Sequence, residues 1–114
     1  VEPIHSLIEK KGSLILDKSS RRVWISKNEV LPPLSVPQFR LLELLSSHEG
    51  QVVSREEIVV SVWGGQEAVG VSEQAIDALV RRLRDRLAQI CPDHEFIVTV
   101  RGYGLRFENA RQKR

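Results

Sequence analysis

Apolar residues recur along this chain in two rhythms, and the change from one to the other divides it. Around Trp24, Val23 and Ile25 alternate with polar neighbours at the two-residue period of a half-buried strand. The segments SLILD (13–17) and RRVWIS (21–26) therefore predict short strands. KSS (18–20) and KNE (27–29) predict turns, and VLPPLS (30–35) an extended exit. From Ser35 the period lengthens. Val36, Phe39 and Leu42, with Leu41, Leu44 and Leu45, repeat at helical spacing towards a stop near Gly50, and Ser35 with Gln38 has the spacing of a capping box. Ser54 with Glu57 repeats that signal ahead of REEIVVSVW, which runs to Gly64 and Gly65.

Ser72 begins a third, longer helix reaching about Ile90, because Pro92 cannot continue it. At about 100° per residue, Leu79, Val80, Leu83, Leu87 and Ile90 all lie within roughly 60° of Ile76, so one face is core. The chain then returns to strand patterns: FIVTV and LRF flank RGYG, where Gly102 and Gly104 supply the positive φ of a tight reversal. The expected class is α+β: an N-terminal antiparallel sheet, three helices and a C-terminal hairpin. The expected division is a leader or linker over 1–12, one domain over 13–108 and a basic tail over 109–114.

Composition narrows the function classes. A chain of 114 residues with 41% hydrophobic residues suits one domain that buries roughly two thirds of its unfolded surface. No apolar run approaches the ~18 residues of a membrane span, and VEPIHSLIEKK lacks the features of a secretory signal, so a cytoplasmic protein with no membrane partner is expected. The single Cys91 excludes an internal disulfide framework and a cysteine-rich zinc site.

Catalysis has no foothold in the pattern. His5, His48 and His94 are scattered and none sits in a metal-ligating or nucleophile motif. GQEAVGVS (65–72) has the skeleton of a phosphate-binding loop, but Val71 stands where its lysine must be and the preceding element reads as a helix. Glu56 and Glu57 lie in a first helical turn, where the helix dipole accounts for them. The expectation is a protein that is not an enzyme and uses neither cofactor nor metal.

The net charge of +2 is small, but it is unevenly spread. Residues 1–70 carry eight Lys/Arg against nine Asp/Glu, and residues 71–114 carry nine against six. Arg81, Arg82, Arg84 and Arg86 crowd AIDALVRRLRDRL (75–87) and face outward, Arg81 and Arg82 on the side away from the apolar face and Arg84 nearer its flank. Two readings fit. Asp77, Arg81 and Asp85 follow each other at four-residue intervals and could lace a solvated face with ion pairs. Alternatively, a helix with Gln74, Ala78, Arg81 and Arg82 outward fits the DNA major groove, where arginine donates twice to guanine and glutamine pairs with adenine. A hairpin ending in Arg101 and Tyr103 could reach the adjacent groove. The fragment RGYG also matches the start of an RNA-binding signature, although Leu105 replaces its next aromatic. A protein-interaction module docking the basic helix on an acidic partner is the rival from another class.

In order, LSVPQFRLLELLSSHEGQVVSREEIVVSVWG, VSEQAIDALVRRLRDRL and IVTVRGYGLRF resemble the winged-helix DNA-binding output domains of OmpR/PhoB-type bacterial response regulators. The match spans Leu34 to Phe107, and the preceding strands resemble the family's N-terminal sheet. The resemblance implies a winged helix-turn-helix with the third helix as reader and the hairpin as wing. It implies base or phosphate contacts from Arg81 and Arg82, a phosphate contact from Arg84, and groove-facing positions at Gln74 and Ala78. Arg55 and Trp63 match second-helix positions that approach the DNA backbone, Trp63 with a share in the core. Thr99 and Arg101 match the wing, Arg101 entering the minor groove. The loop 64–71 matches a segment that touches RNA polymerase in relatives, and two copies on tandem half-sites is the family's habit. Two departures stand out: Leu79 replaces a frequently polar residue, and the closing GYRF becomes GLRF with Tyr103 one step earlier.

Overall fold

A computed structural model describes residues 14–64 and 70–110. The expected leader 1–12, the basic residues 111–114 and most of the loop 64–71 lie outside the described residues. The chain opens with three strands, β1 (Leu14–Asp17), β2 (Arg22–Ile25) and β3 (Asn28–Glu29), in an antiparallel sheet of that order. The reversal between β2 and β3 is tighter than the sequence suggested. KNE is not all turn: Ser26 (φ 51°) and Lys27 (φ 72°) alone make it, and Asn28 pairs with Ile25. Positive φ at both central residues matches the twist of paired strands, so two residues suffice.

Three helices follow: α1 (Val36–Ser47), α2 (Arg55–Val62) and α3 (Glu73–Ala88). Each begins where its serine predicts. The Ser35 hydroxyl accepts from Gln38 N–H, and Gln38 Oε1 accepts from Ser35 N–H, a complete capping box. Ser54 and Ser72 accept from the backbone N–H groups of Glu57 and Ala75. The helix ends come earlier than expected. α1 stops at Ser47, and Gly50, with φ 82°, gives its N–H to Phe107 O at 2.9 Å, steering the chain into a strand.

That strand, β4 (Val52–Val53), has no sequence signal beyond two valines, yet it completes a second sheet. It pairs with β6 (Gly104–Phe107), which pairs in turn with β5 (Ile97–Val100), giving the order β4-β6-β5. Gly104 makes this possible. A Cβ there would lie 2.0 Å from Val53 O, so only glycine lets the strands approach.

The core lies between the helices and the two sheets. Leu41, Leu42 and Leu45 of α1 are fully buried, and α1 packs on α2, α3 and β6. From α3 the buried set is Ile76, Leu79, Val80, Leu83 and Leu87, the face predicted from periodicity. Burying each of these side chains is worth about 1.5–3 kcal/mol. Leu79 is core, which accounts for its apolar identity. Asn109 closes the body: its Oδ1 accepts from Leu14 N–H at 2.9 Å and its Nδ2 donates to Leu14 O at 3.1 Å. With Ala110 packed against the core, residues 109 and 110 belong to the folded unit and not to a tail.

Candidate nucleic-acid interface

With its apolar face buried, α3 turns the remaining face to solvent. Gln74, Arg81 and Arg82 are exposed there and Ala78 is half-buried. Of the two readings of this face, the ladder of ion pairs does not form among the described residues. Asp77 Oδ1 accepts from Arg55 NH2 at 2.8 Å and so is turned towards α2, and among the described residues neither Arg81 nor Asp85 enters a salt bridge. A nonlocal partner has displaced the i,i+4 one.

Arg55 stands at the start of α2, and its Nε also donates to Glu73 Oε1 at 2.7 Å. The hydrogen bond to Asp77 first, and then the charges of Glu73 and Asp77, raise the Arg55 pKa against a desolvation penalty. Arg55, expected at a DNA phosphate, therefore already holds the first turn of α3 to α2. Glu73 is a member of this arrangement that the sequence did not disclose, because its partner lies 18 positions away.

Arg84 is similarly engaged. Its Nε donates to Ile97 O at 3.1 Å and its NH2 to Thr99 Oγ1 at 2.7 Å, so two residues expected to meet DNA separately, Arg84 and Thr99, meet each other. Arg86 donates to Pro32 O, fixing the end of α3 to the segment before α1. Trp63, the C-cap residue of α2, is half-buried against the core.

The wing tip is built differently. Tyr103 N–H donates to Val100 O at 2.9 Å, and Gly102 (φ 83°) turns the chain between them. This short rigid reversal leaves Arg101 and Tyr103 outside it. Tyr103 is 74% exposed, so it does not pack on its own hairpin, and Arg101 has no side-chain partner among the described residues. Leu105, where the RNA-binding signature needs a ring on the sheet surface, is instead 2% exposed and part of the core. Arg81, Arg82 and Arg101 are thus the arginines of this surface whose side chains have no partner among the described residues, on two elements that Arg84 ties together.

Comparison with known proteins agrees with this layout. The family model "Transcriptional regulatory protein, C terminal" matches residues 28–107. The phosphate regulon transcriptional regulatory protein PhoB of Pseudomonas aeruginosa is 34% identical over 96 residues, covering 84% of this chain and 39% of the relative. The chain thus spans about two fifths of that relative's length. Among solved structures, the RstA DNA-binding domain of Klebsiella pneumoniae, in complex with the RstA box, aligns with a TM-score of 0.70 at 30% identity, covering 85% of this chain and 92% of that one. The DNA-binding domain of CpxR from E. coli aligns with a TM-score of 0.71 at 30% identity, covering 87% and 93%. The order of sheet, three helices and hairpin is therefore a winged helix, and the chain belongs to the family of transcriptional regulatory protein C-terminal domains, a family of regulators and not of enzymes.

Proposed function

We propose that this domain regulates transcription by binding duplex DNA in a sequence-specific manner, with α3 in the major groove and the wing in the minor groove. The observation that carries this reading is the set of exposed guanidinium groups of Arg81, Arg82 and Arg101, unpartnered among the described residues, in a fold whose relatives include a structure solved on its DNA box. A free arginine on a rigid element is the chemistry that recognises guanine edges and narrow minor grooves.

Within this reading Gln74 and Ala78 face base edges, the glutamine by pairing with adenine, and Arg81 and Arg82 divide between bases and phosphates. Arg101 enters the minor groove with the Tyr103 ring beside it. Arg55 reaches the backbone only through donors that Glu73 and Asp77 leave free. Residues 64–71 are the segment for an RNA polymerase contact, and two copies on tandem half-sites complete a regulatory unit in the cytoplasm. The body that carries these contacts is the folded unit closed by Asn109 and Ala110.

Selection from a randomised duplex pool at near-physiological salt tests the reading. One enriched motif, repeated at about one helical turn if two copies bind in tandem, is the expected result. A pool that stays random while the domain captures acidic protein would replace DNA with a protein partner.

A further inference from the structure

The wing's outer strand poses a positioning problem. β5 is an edge strand, held by β6 on one side only, and its last residue leads into Arg101. A strand rises about 3.3 Å per residue, and DNA rises about 3.4 Å per base pair. A displacement of the wing tip by about the rise of one strand residue is therefore comparable in size with one base-pair step. A minor-groove contact with a defined place in the site needs β5 fixed on its open side.

Arg84 supplies that hold. Its planar guanidinium meets β5 at two points two residues apart, Nε on Ile97 O at 3.1 Å and NH2 on Thr99 Oγ1 at 2.7 Å. Two donors in a rigid fork fix orientation as well as distance, which one bond from a flexible ammonium would not. Beyond Thr99, the Tyr103 N–H to Val100 O bond and the positive φ of Gly102 make the tip stiff, so a fixed Thr99 means a fixed Arg101 backbone. The two donors spent on β5 are the ones a side-on phosphate contact would use.

We propose that Arg84 is a positioning residue, and that with Thr99 it pins the wing to α3 and so sets the number of base pairs between the minor-groove and major-groove contacts. This rests on the DNA-binding reading above. Thr99→Val is the sharper probe, since it deletes the acceptor while keeping the branched shape and the charge.

The experiment selects sites from a randomised duplex pool with the wild type, Thr99→Val, Arg84→Gln, Arg101→Ala and the Thr99→Val/Arg101→Ala double variant, and measures the salt dependence of binding for each. The wild type is expected to select a base-specific core and an A·T-rich flank at one fixed spacing. Thr99→Val and Arg84→Gln keep the core, blur the spacing of the flank, and bind the wild-type site about three- to tenfold more weakly. Thr99→Val has no further effect once Arg101 is alanine.

Two results would overturn the inference while leaving DNA binding intact. One is a Thr99→Val motif with its flank still at a single spacing. The other is an Arg84→Gln variant whose log-log salt slope falls by about 0.9 with the flank unchanged, the mark of a lost phosphate contact. A wild type that selects no motif would sink the DNA reading itself, and this one with it.

Discussion

The two sheets are each antiparallel and three-stranded, and Arg22 of one and Arg101 of the other are used oppositely. In the N-terminal sheet Arg22 is exposed but engaged: Nε and NH2 meet Glu29 Oε2 and Oε1 at 2.8 and 2.9 Å, and the guanidinium carbon lies 5.2 Å from the Trp24 ring centre. Asp17 accepts from Ser19 and Ser20 in the adjoining turn. In the C-terminal sheet, Arg101 protrudes from a rigid tip with no such partner among the described residues. Counting arginines would rank the two sheets together. Asking which guanidinium groups are already satisfied separates a structural surface from a recognition surface.

The largest test of this contrast removes the second sheet's closest approach. Gly104→Ala places a methyl against Val53 O and should cost on the order of 3 kcal/mol or more in urea unfolding. Gly102→Ala, with open space around it and only its φ of 83° to strain, should cost about 1–2 kcal/mol. Equal losses would mean that β4 is not held where the structure has it.

Next in size, Arg101→Ala should weaken binding to a selected duplex about tenfold and relax the preference for an A·T-rich flank, with unfolding unchanged. Arg22→Ala should do the reverse: fluorescence anisotropy should report unaltered DNA affinity, and thermal melting a lower midpoint. If both variants lost affinity alike, the contrast between the sheets would collapse.

Smaller again is the acid response. Arg22 holds the Glu29 carboxylate below its usual value, chiefly through their hydrogen bond. A depressed folded-state pKa contributes stability that is complete above the unfolded value of about 4.3 and is lost as pH falls through the lower folded value. Glu29→Gln should therefore flatten the fall in stability below about pH 4. A profile identical to that of the wild type would show that the pair contributes nothing measurable. Smallest of all, Ser26→Asn at a φ of 51° should stabilise the β2–β3 reversal by a few tenths of a kcal/mol in urea melts, because asparagine tolerates the left-handed region better.

Legibility from sequence followed the range of the interactions. Ser35, Ser54 and Ser72 announced all three helix starts because a cap is decided within four residues. The buried face of α3 was equally plain from its period. β3 and β4 were not, since two residues cannot show a period and their pairing depends on β2 and β6. The same limit governed the interface. The exposure of Gln74, Arg81, Arg82 and Arg101 follows from local geometry. The engagement of Arg55 with Glu73 and Asp77, and of Arg84 with Thr99, joins residues 15 to 22 positions apart, and a helical wheel offers Asp77 only Arg81 as a partner.

The Asn109 clasp on Leu14 joins residues 95 positions apart in the sequence. Geometrically the folded body is a ring, and a ring can be cut elsewhere. A circular permutant that links the region after Asn109 to the region before Leu14, and opens instead in the exposed Lys18–Ser20 turn, would carry the same sheets, reader helix and wing in a new order. Such a molecule would also move the point of attachment. A fused sensor module could then enter beside β2, so that where a signal arrives on this fold becomes a design choice separate from how the fold meets its target.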